Sequence, residues 1–154
     1  MRKLTVCLLL RSSVLCGLAQ SVHIIPQPVS VKQPKTAARF SITPATVLVL
    51  EGSNLDNSAR FINDYLEQNY LFRLNIVQNS SSKNAIRLNY ERMDNELPGA
   101  YTLTTDAKGI YIAGDNEEGV FYGIQTLIQL LPVPDALLKM RPSRLDIPYV
   151  SIQD

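Results

Sequence analysis

A chain of 154 residues with 45% apolar content can bury one compact core, and one domain is the ceiling at this length. Its 15 basic and 14 acidic residues, spread along the sequence for a net charge of +1, exclude the concentrated positive field that a nucleic acid or an anionic membrane surface would require. Tryptophan is absent, which excludes a Trp-based stacking platform, although seven tyrosines and four phenylalanines supply aromatic surface.

Residues 1–19 read as a secretory leader. Arg2 and Lys3 form a basic start, residues 4–10 an apolar run that Arg11 breaks, and Gly17-Leu18-Ala19 a small-x-small cleavage pattern. The run is far short of the roughly 20 residues that span a bilayer, so no transmembrane anchor is expected. Export would deliver the protein to the periplasm or the extracellular space. Cys16 opens the alternative of a lipid-anchored cysteine, against which Leu15 is a poor preceding residue. Both cysteines, Cys7 and Cys16, fall inside the leader. A chain cleaved after Ala19 would therefore hold no disulfide, no Cys nucleophile and no thiolate metal site.

Beyond the leader, Pro26, Pro28 and Pro34 punctuate residues 21–35 as an extended segment laid on a surface. His23 lies here as the single histidine, which leaves a His-based metal site or a Ser-His-Asp triad without partners; an exposed or locally bonded side chain is the plain reading. Short strands are predicted over 40–43 and 46–51, then a turn at Gly52-Ser53-Asn54. A helix over 55–71 follows, because Leu55, Ala59, Ile62, Leu66 and Tyr70 recur near helical spacing, with Asn54 or Ser53 as cap and Asp56 in the first turn. Residues 73–77 alternate as a strand, with Arg73 and Asn75 outward and Leu74 and Ile76 inward. The polar run 79–84 is a surface loop; Asn79-Ser80-Ser81 matches the glycosylation sequon, as short polar loops do by chance. Residues 85–91 alternate again, Pro98-Gly99 marks a turn, and Asp106-Ala107-Lys108-Gly109 joins strands 101–105 and 109–113 as a tight hairpin.

Residues 109–131 organise the rest. They form a strand, a turn at Gly114, caps at Asp115 and Asn116, and an amphipathic helix that runs to Pro132. Val120, Phe121, Ile124, Leu127, Ile128 and Leu131 line its apolar side. Gly119 and Gly123, one turn apart, each cost about 1 kcal/mol against Ala in a helix interior, a sign that another backbone comes very close. Residues 132–146, with Pro132, Pro134, Pro142, Lys139, Arg141 and Arg144, read as an irregular linker bearing solvated charges. The order β-β-α-β-β-β-β-α predicts an α/β (α+β) domain of two layers, a mixed, largely antiparallel sheet with both helices on one face.

Asp115, Glu117 and Glu118 could supply the paired carboxylates of acid–base chemistry, but carboxylates at a helix N-terminus also satisfy free N–H groups and the helix dipole. Phosphate capture at that helix start is opposed by the same three charges. Asp146 and Asp154 flank the strand-like IPYVSIQ with no carboxylate partner in view. Tyr101, Tyr111 and Tyr122 could stack on a sugar, or could pack in the core or an interface. No phosphate-binding loop, dinucleotide fingerprint or metal-ligand spacing occurs. No residue is assigned a catalytic, cofactor-binding or metal role, and no cofactor is expected.

The run GVFYGIQTLIQLLP, preceded by YTLTTDAKGIYIAGDNEE and followed by IPYVSIQD, with IIPQPVSV at the start, resembles the N-terminal, non-catalytic domain of family 20 glycoside hydrolases, the β-N-acetylhexosaminidases. The resemblance implies the same layered architecture, an accessory domain over 20–146 ending in the proline-rich linker, and residues 147–154 leading into a (β/α)8 catalytic barrel. It implies a complete enzyme that removes terminal N-acetylglucosamine or N-acetylgalactosamine from glycans. There the substrate's acetamido oxygen attacks the anomeric carbon, an Asp of the barrel orients the acetamide, and a neighbouring Glu acts as acid and then base. The domain would dock on that barrel through the small-residue face at Gly119 and Gly123 or through the opposite sheet face, leaving an apolar patch uncovered in the isolated chain. Two alternatives stand beside this one: a free-standing secreted glycan- or protein-binding module, and the comparable domain of related hexosaminidase-type families, including those acting on O-linked N-acetylglucosamine.

Overall fold

Alternating apolar residues build strands whose order the turns between them decide. In the computed structural model, which describes residues 22–92, 98–134 and 144–154, the elements are β1 (Ser30–Lys32), β2 (Arg39–Ile42), β3 (Val47–Glu51), α1 (Asp56–Tyr70), β4 (Asn75–Gln78), β5 (Ala85–Tyr90), β6 (Tyr101–Asp106), β7 (Gly109–Gly114), α2 (Glu117–Leu130), β8 (Leu145–Pro148) and β9 (Val150–Gln153). The leader with Cys7 and Cys16, and the linker residues Lys139, Arg141 and Pro142, lie outside the described residues. A seven-stranded sheet runs β1-β9-β6-β7-β5-β3-β4, and β2 pairs with β8 in a separate antiparallel ribbon. The β1, β9, β6 and β7 ladders are antiparallel and the β7, β5, β3 and β4 ladders parallel.

Local chemistry explains both halves. Asp106 accepts from the backbone N–H of Lys108 at 2.7 Å and of Gly109 at 3.2 Å, which closes the two-residue turn and forces β6 and β7 antiparallel. Between β3 and β4 the chain crosses over through α1, so those strands run parallel. Alternate positions on one sheet face, Leu48, Leu50, Ile86, Leu88, Leu103, Ile110 and Ile112, join Ile62 and Leu66 of α1 and Val120, Ile124 and Leu127 of α2 in one buried core. Mixed sheet, two helices and one shared core are as the sequence pattern predicts.

Several details differ from it. Leu55, not Asn54 or Ser53, caps α1, and its side chain makes no cap bond. Asn54 takes a left-handed conformation, φ 62, while Leu55 is fully buried, so the core and not a polar cap fixes the helix start. Ile76 shares the helix side of the pleat with Leu48, yet β4 is the edge strand and leaves it 42% exposed. Asn63, missed by the pattern, is buried in α1 and holds Leu74 by both backbone groups, donating to its carbonyl at 3.0 Å and accepting from its N–H at 2.8 Å.

The chain ends also carry more structure than their composition suggests. β1 arises inside the proline-rich segment and pairs with β9. β9 sits between β1 and β6, and Tyr101 and Asp154 exchange backbone hydrogen bonds of 3.0 and 3.1 Å. Residues 147–154, expected to lead into a following domain, are thus strands of this one, and a boundary at 146 cuts through β8.

Candidate functional site

The start of α2 shows what its carboxylates do. Asn116, in extended conformation, accepts from the N–H of Gly119 at 2.9 Å and is the true cap. Asp115 instead anchors through its backbone, donating to the Ala100 carbonyl at 3.0 Å; its Oδ1 is buried without a hydrogen-bond partner among the described residues. Glu118 accepts from the Tyr122 hydroxyl at 2.7 Å, and this pairing raises the phenol's pKa. Glu117 lies on the side of Tyr90, whose pKa is raised by burial first and by the Glu117 charge second. Glu118 turns to Tyr122 and Glu117 to Tyr90, while Asp115 is anchored through its backbone, so the three do not form the facing pair that glycoside hydrolysis needs. Glu117 and Glu118 lie in the first turn of α2, where negative charge favours the helix dipole.

The three tyrosines are dispersed in the same way. Tyr101 is 3% exposed and shares a 2.6 Å hydrogen bond with Thr126. Burial pushes its pKa up, the Thr126 bond pulls it down, and the Asp154 charge adds to the rise. Tyr101 is a core residue. Tyr122 lies on the outer side of α2, and Tyr111 on the sheet face away from the helices, where its oxygen accepts from the Asn89 amide at 2.8 Å. No single platform can combine them. Asp146 accepts from Ser41 at 2.6 Å and pairs with Arg144 at 3.2 Å, and Asp154 accepts from the Val29 N–H at 3.1 Å. His23 is exposed. Among the described residues no cluster of His, Cys, Asp and Glu could hold a metal, and no helix is long and apolar enough to cross a membrane.

A Cβ at Gly119 would sit 2.4 Å from the Ala100 carbonyl oxygen, and one at Gly123 would sit 2.5 Å from Cγ2 of Ile112 and 3.3 Å from the Tyr101 ring. A close neighbour does press on both glycines, but it is the domain's own sheet. That face is therefore closed to any partner. The sheet face opposite the helices is polar: Arg87 donates to Glu51 at 2.6 Å and to the Ser80 and Ser82 carbonyls at 2.6 and 2.5 Å.

Apolar surface appears instead on the outside of the helix layer. Phe61 of α1 and Phe121 of α2 meet with ring centroids 4.9 Å apart, and Tyr122 lies 6.3 Å from Phe121. Phe61 is 38% and Tyr122 41% exposed, with Tyr65 and Ile128 half-buried on the same helices. A signal was present in the sequence: Phe61 and Tyr65 stand at i, i+4, one position ahead of the core pair Ile62 and Leu66.

The profile of glycosyl hydrolase family 20, domain 2, matches residues 21–154. A β-hexosaminidase of Porphyromonas gingivalis is 31% identical over 144 residues, 88% of this chain and 17% of that protein. One of Vibrio vulnificus is 25% identical over 115 residues, 75% of this chain and 12% of that protein. The chain thus spans less than a fifth of either relative. The family 20 β-N-acetylhexosaminidase of Streptomyces coelicolor A3(2) superposes with a TM-score of 0.69 and 25% identity over 82% of this chain and 25% of that one. The fold alone is shared, at TM-score 0.68 and 22% identity, with a Vibrio harveyi exo-β-N-acetylglucosaminidase solved with N-acetylglucosamine, over 93% of this chain and 20% of that one. Those matches select family 20 over related hexosaminidase-type families: the chain belongs to glycosyl hydrolase family 20, as its non-catalytic domain 2.

Proposed function

We propose that this domain is the accessory part of a β-N-acetylhexosaminidase that releases terminal N-acetylhexosamine residues from glycans, and that it supports the catalytic barrel of the same polypeptide. The observation that carries the reading is the family match over residues 21–154, joined by β-hexosaminidase relatives several times longer than this chain. The chemistry would belong to the barrel: an Asp that orients the substrate's acetamido group and a Glu that protonates the leaving oxygen, then activates water. The basic start, apolar run and Gly17-Leu18-Ala19 pattern support export to the periplasm or the extracellular space.

The docking face would be the outer helix layer. Phe61, Phe121 and Tyr122 present rigid aromatic surface there, the residue type that anchors stable interfaces. Sequencing the DNA beyond codon 154 tests the reading. The expected result is an open frame encoding a (β/α)8 barrel with adjacent Asp and Glu at the end of one strand. A frame that continues into a different domain, or a genuine stop, would overturn it.

A further inference from the structure

We infer that the open face of the sheet carries a shallow binding site for a neutral sugar ring, built around Tyr111. The site exists because three strands bring distant residues into register. Tyr111 of β7 stands between Arg87 of β5 and Thr104 of β6, and the next pair position down the sheet sets Gly109 between Ala85 and Asp106. Side chains at these positions point away from the helices. Ala85 and Gly109 contribute little side-chain bulk, so a hollow of about 190 Å³ opens over them, with Tyr111, Arg87, Thr104 and Asp106 around its edge.

Gly109 is required there on two grounds. Its φ is +147, and a Cβ would lie 2.4 Å from the Ala85 carbonyl oxygen. The floor of the hollow is therefore fixed by backbone geometry. Its rim is fixed too. Arg87 is held by Glu51 and by the Ser80 and Ser82 carbonyls, and the Tyr111 oxygen is held by Asn89. Side chains ordered in advance lose little freedom on binding a ligand.

Charge selects the ligand class. Glu51 neutralises Arg87 at 2.6 Å, and Asp106 accompanies Lys108 on the same turn, so the rim has no net charge to attract phosphate or carboxylate. What remains is a mainly apolar lining, with the Tyr111 phenol ring and the Thr104 hydroxyl at its edge, around a hollow the size of one ring. Those features suit the C–H face and hydroxyl groups of a pyranose. The site goes beyond the accessory role proposed above and does not depend on a barrel; only the choice of probe rests on that reading.

Titrating the 154-residue chain with chitotriose, followed by amide NMR shifts, tests the site. Saturable shifts are expected at Arg87, Thr104, Gly109 and Tyr111, with a Kd on the order of 1 mM for so shallow a site, and none with inorganic phosphate. Tyr111→Ala is expected to weaken binding at least about tenfold. Thr104→Phe, a strand-compatible replacement that fills the hollow, is expected to abolish the shifts while leaving the unfolding midpoint near that of the parent chain. Absence of saturable shifts up to about 10 mM, shifts confined to another face, equal shifts with phosphate, or undiminished binding by a folded Thr104→Phe chain would each overturn the proposal. Should Tyr111→Ala fail to fold, Thr104→Phe decides alone. A failure here combined with a barrel encoded downstream would refute the sugar site and leave the enzyme reading standing.

Discussion

A Gly119→Val chain is expected to lose at least about 3 kcal/mol of stability, enough to unfold much of the population if the domain sits in the usual range of about 5–15 kcal/mol. The cause is a collision on two sides. The added Cβ would lie 2.4 Å from the Ala100 carbonyl oxygen and 2.8 Å from Oδ1 of Asp115. Neither can retreat easily: the Ala100 carbonyl already accepts the Asp115 N–H at 3.0 Å, and Ala100 precedes β6, which is paired on both sides by β9 and β7. Asn116 also needs the Gly119 N–H where it is, for its cap bond. The control is Gln125→Val, on the exposed side of α2, where only helix propensity changes and the loss should stay under about 1 kcal/mol. Urea unfolding of the two variants measures the difference. Equal stabilities would mean that α2 does not approach the sheet as closely as described.

A Phe61→Asp, Phe121→Asp double variant is expected to separate the domain's own folding from the support of a barrel proposed for it. Both rings lie outside the main core and contact each other at 4.9 Å, so the 154-residue chain should keep its fold. In the product of the complete reading frame the same substitutions would set two charges against the barrel. Aromatic anchors of an interface contribute about 2 kcal/mol or more each, so the temperature of half-inactivation should fall by roughly 5–10 °C. Residual activity after timed heating gives the readout. Unchanged inactivation in the complete protein would remove the helix layer from the interface.

The elements legible in the sequence are those whose cause is local. The β6–β7 hairpin follows from Asp106, Ala107, Lys108 and Gly109, which carry their own turn chemistry. α2 follows from Asn116 and the spacing of Val120, Ile124 and Leu127. The glycine pair announced that something presses on α2 but not what: a missing side chain records closeness and cannot name the neighbour. For that reason the expectation that this face meets a barrel gave way to Ala100, Ile112 and Tyr101 of the same domain.

What escaped the sequence depends on pairings between distant residues. The strand-like character of IPYVSIQ is readable in its residues, but the place of β9 is not, because Ser30–Lys32 on one side and β6 on the other supply its hydrogen bonds. Ile76 illustrates the complement, since its alternation was read correctly and its exposure was set by β4 being an edge. The candidate sites divide in the same way. The cap at Asn116 was readable but the one expected at Asp115 is not made, whereas Arg87, Thr104 and Tyr111 meet only through the β5-β7-β6 order, and Phe61 meets Phe121 only through the packing of α1 beside α2.

The central claim is that these residues belong to a β-N-acetylhexosaminidase. The most direct measurement is hydrolysis by the purified product of the whole reading frame, comparing p-nitrophenyl N-acetyl-β-D-glucosaminide with p-nitrophenyl β-D-glucoside. Because the acetamido group would be the attacking group, the account predicts turnover of the first and a preference of at least about 1,000-fold over the second. No hydrolysis of the N-acetylated substrate, or equal hydrolysis of both, would contradict it.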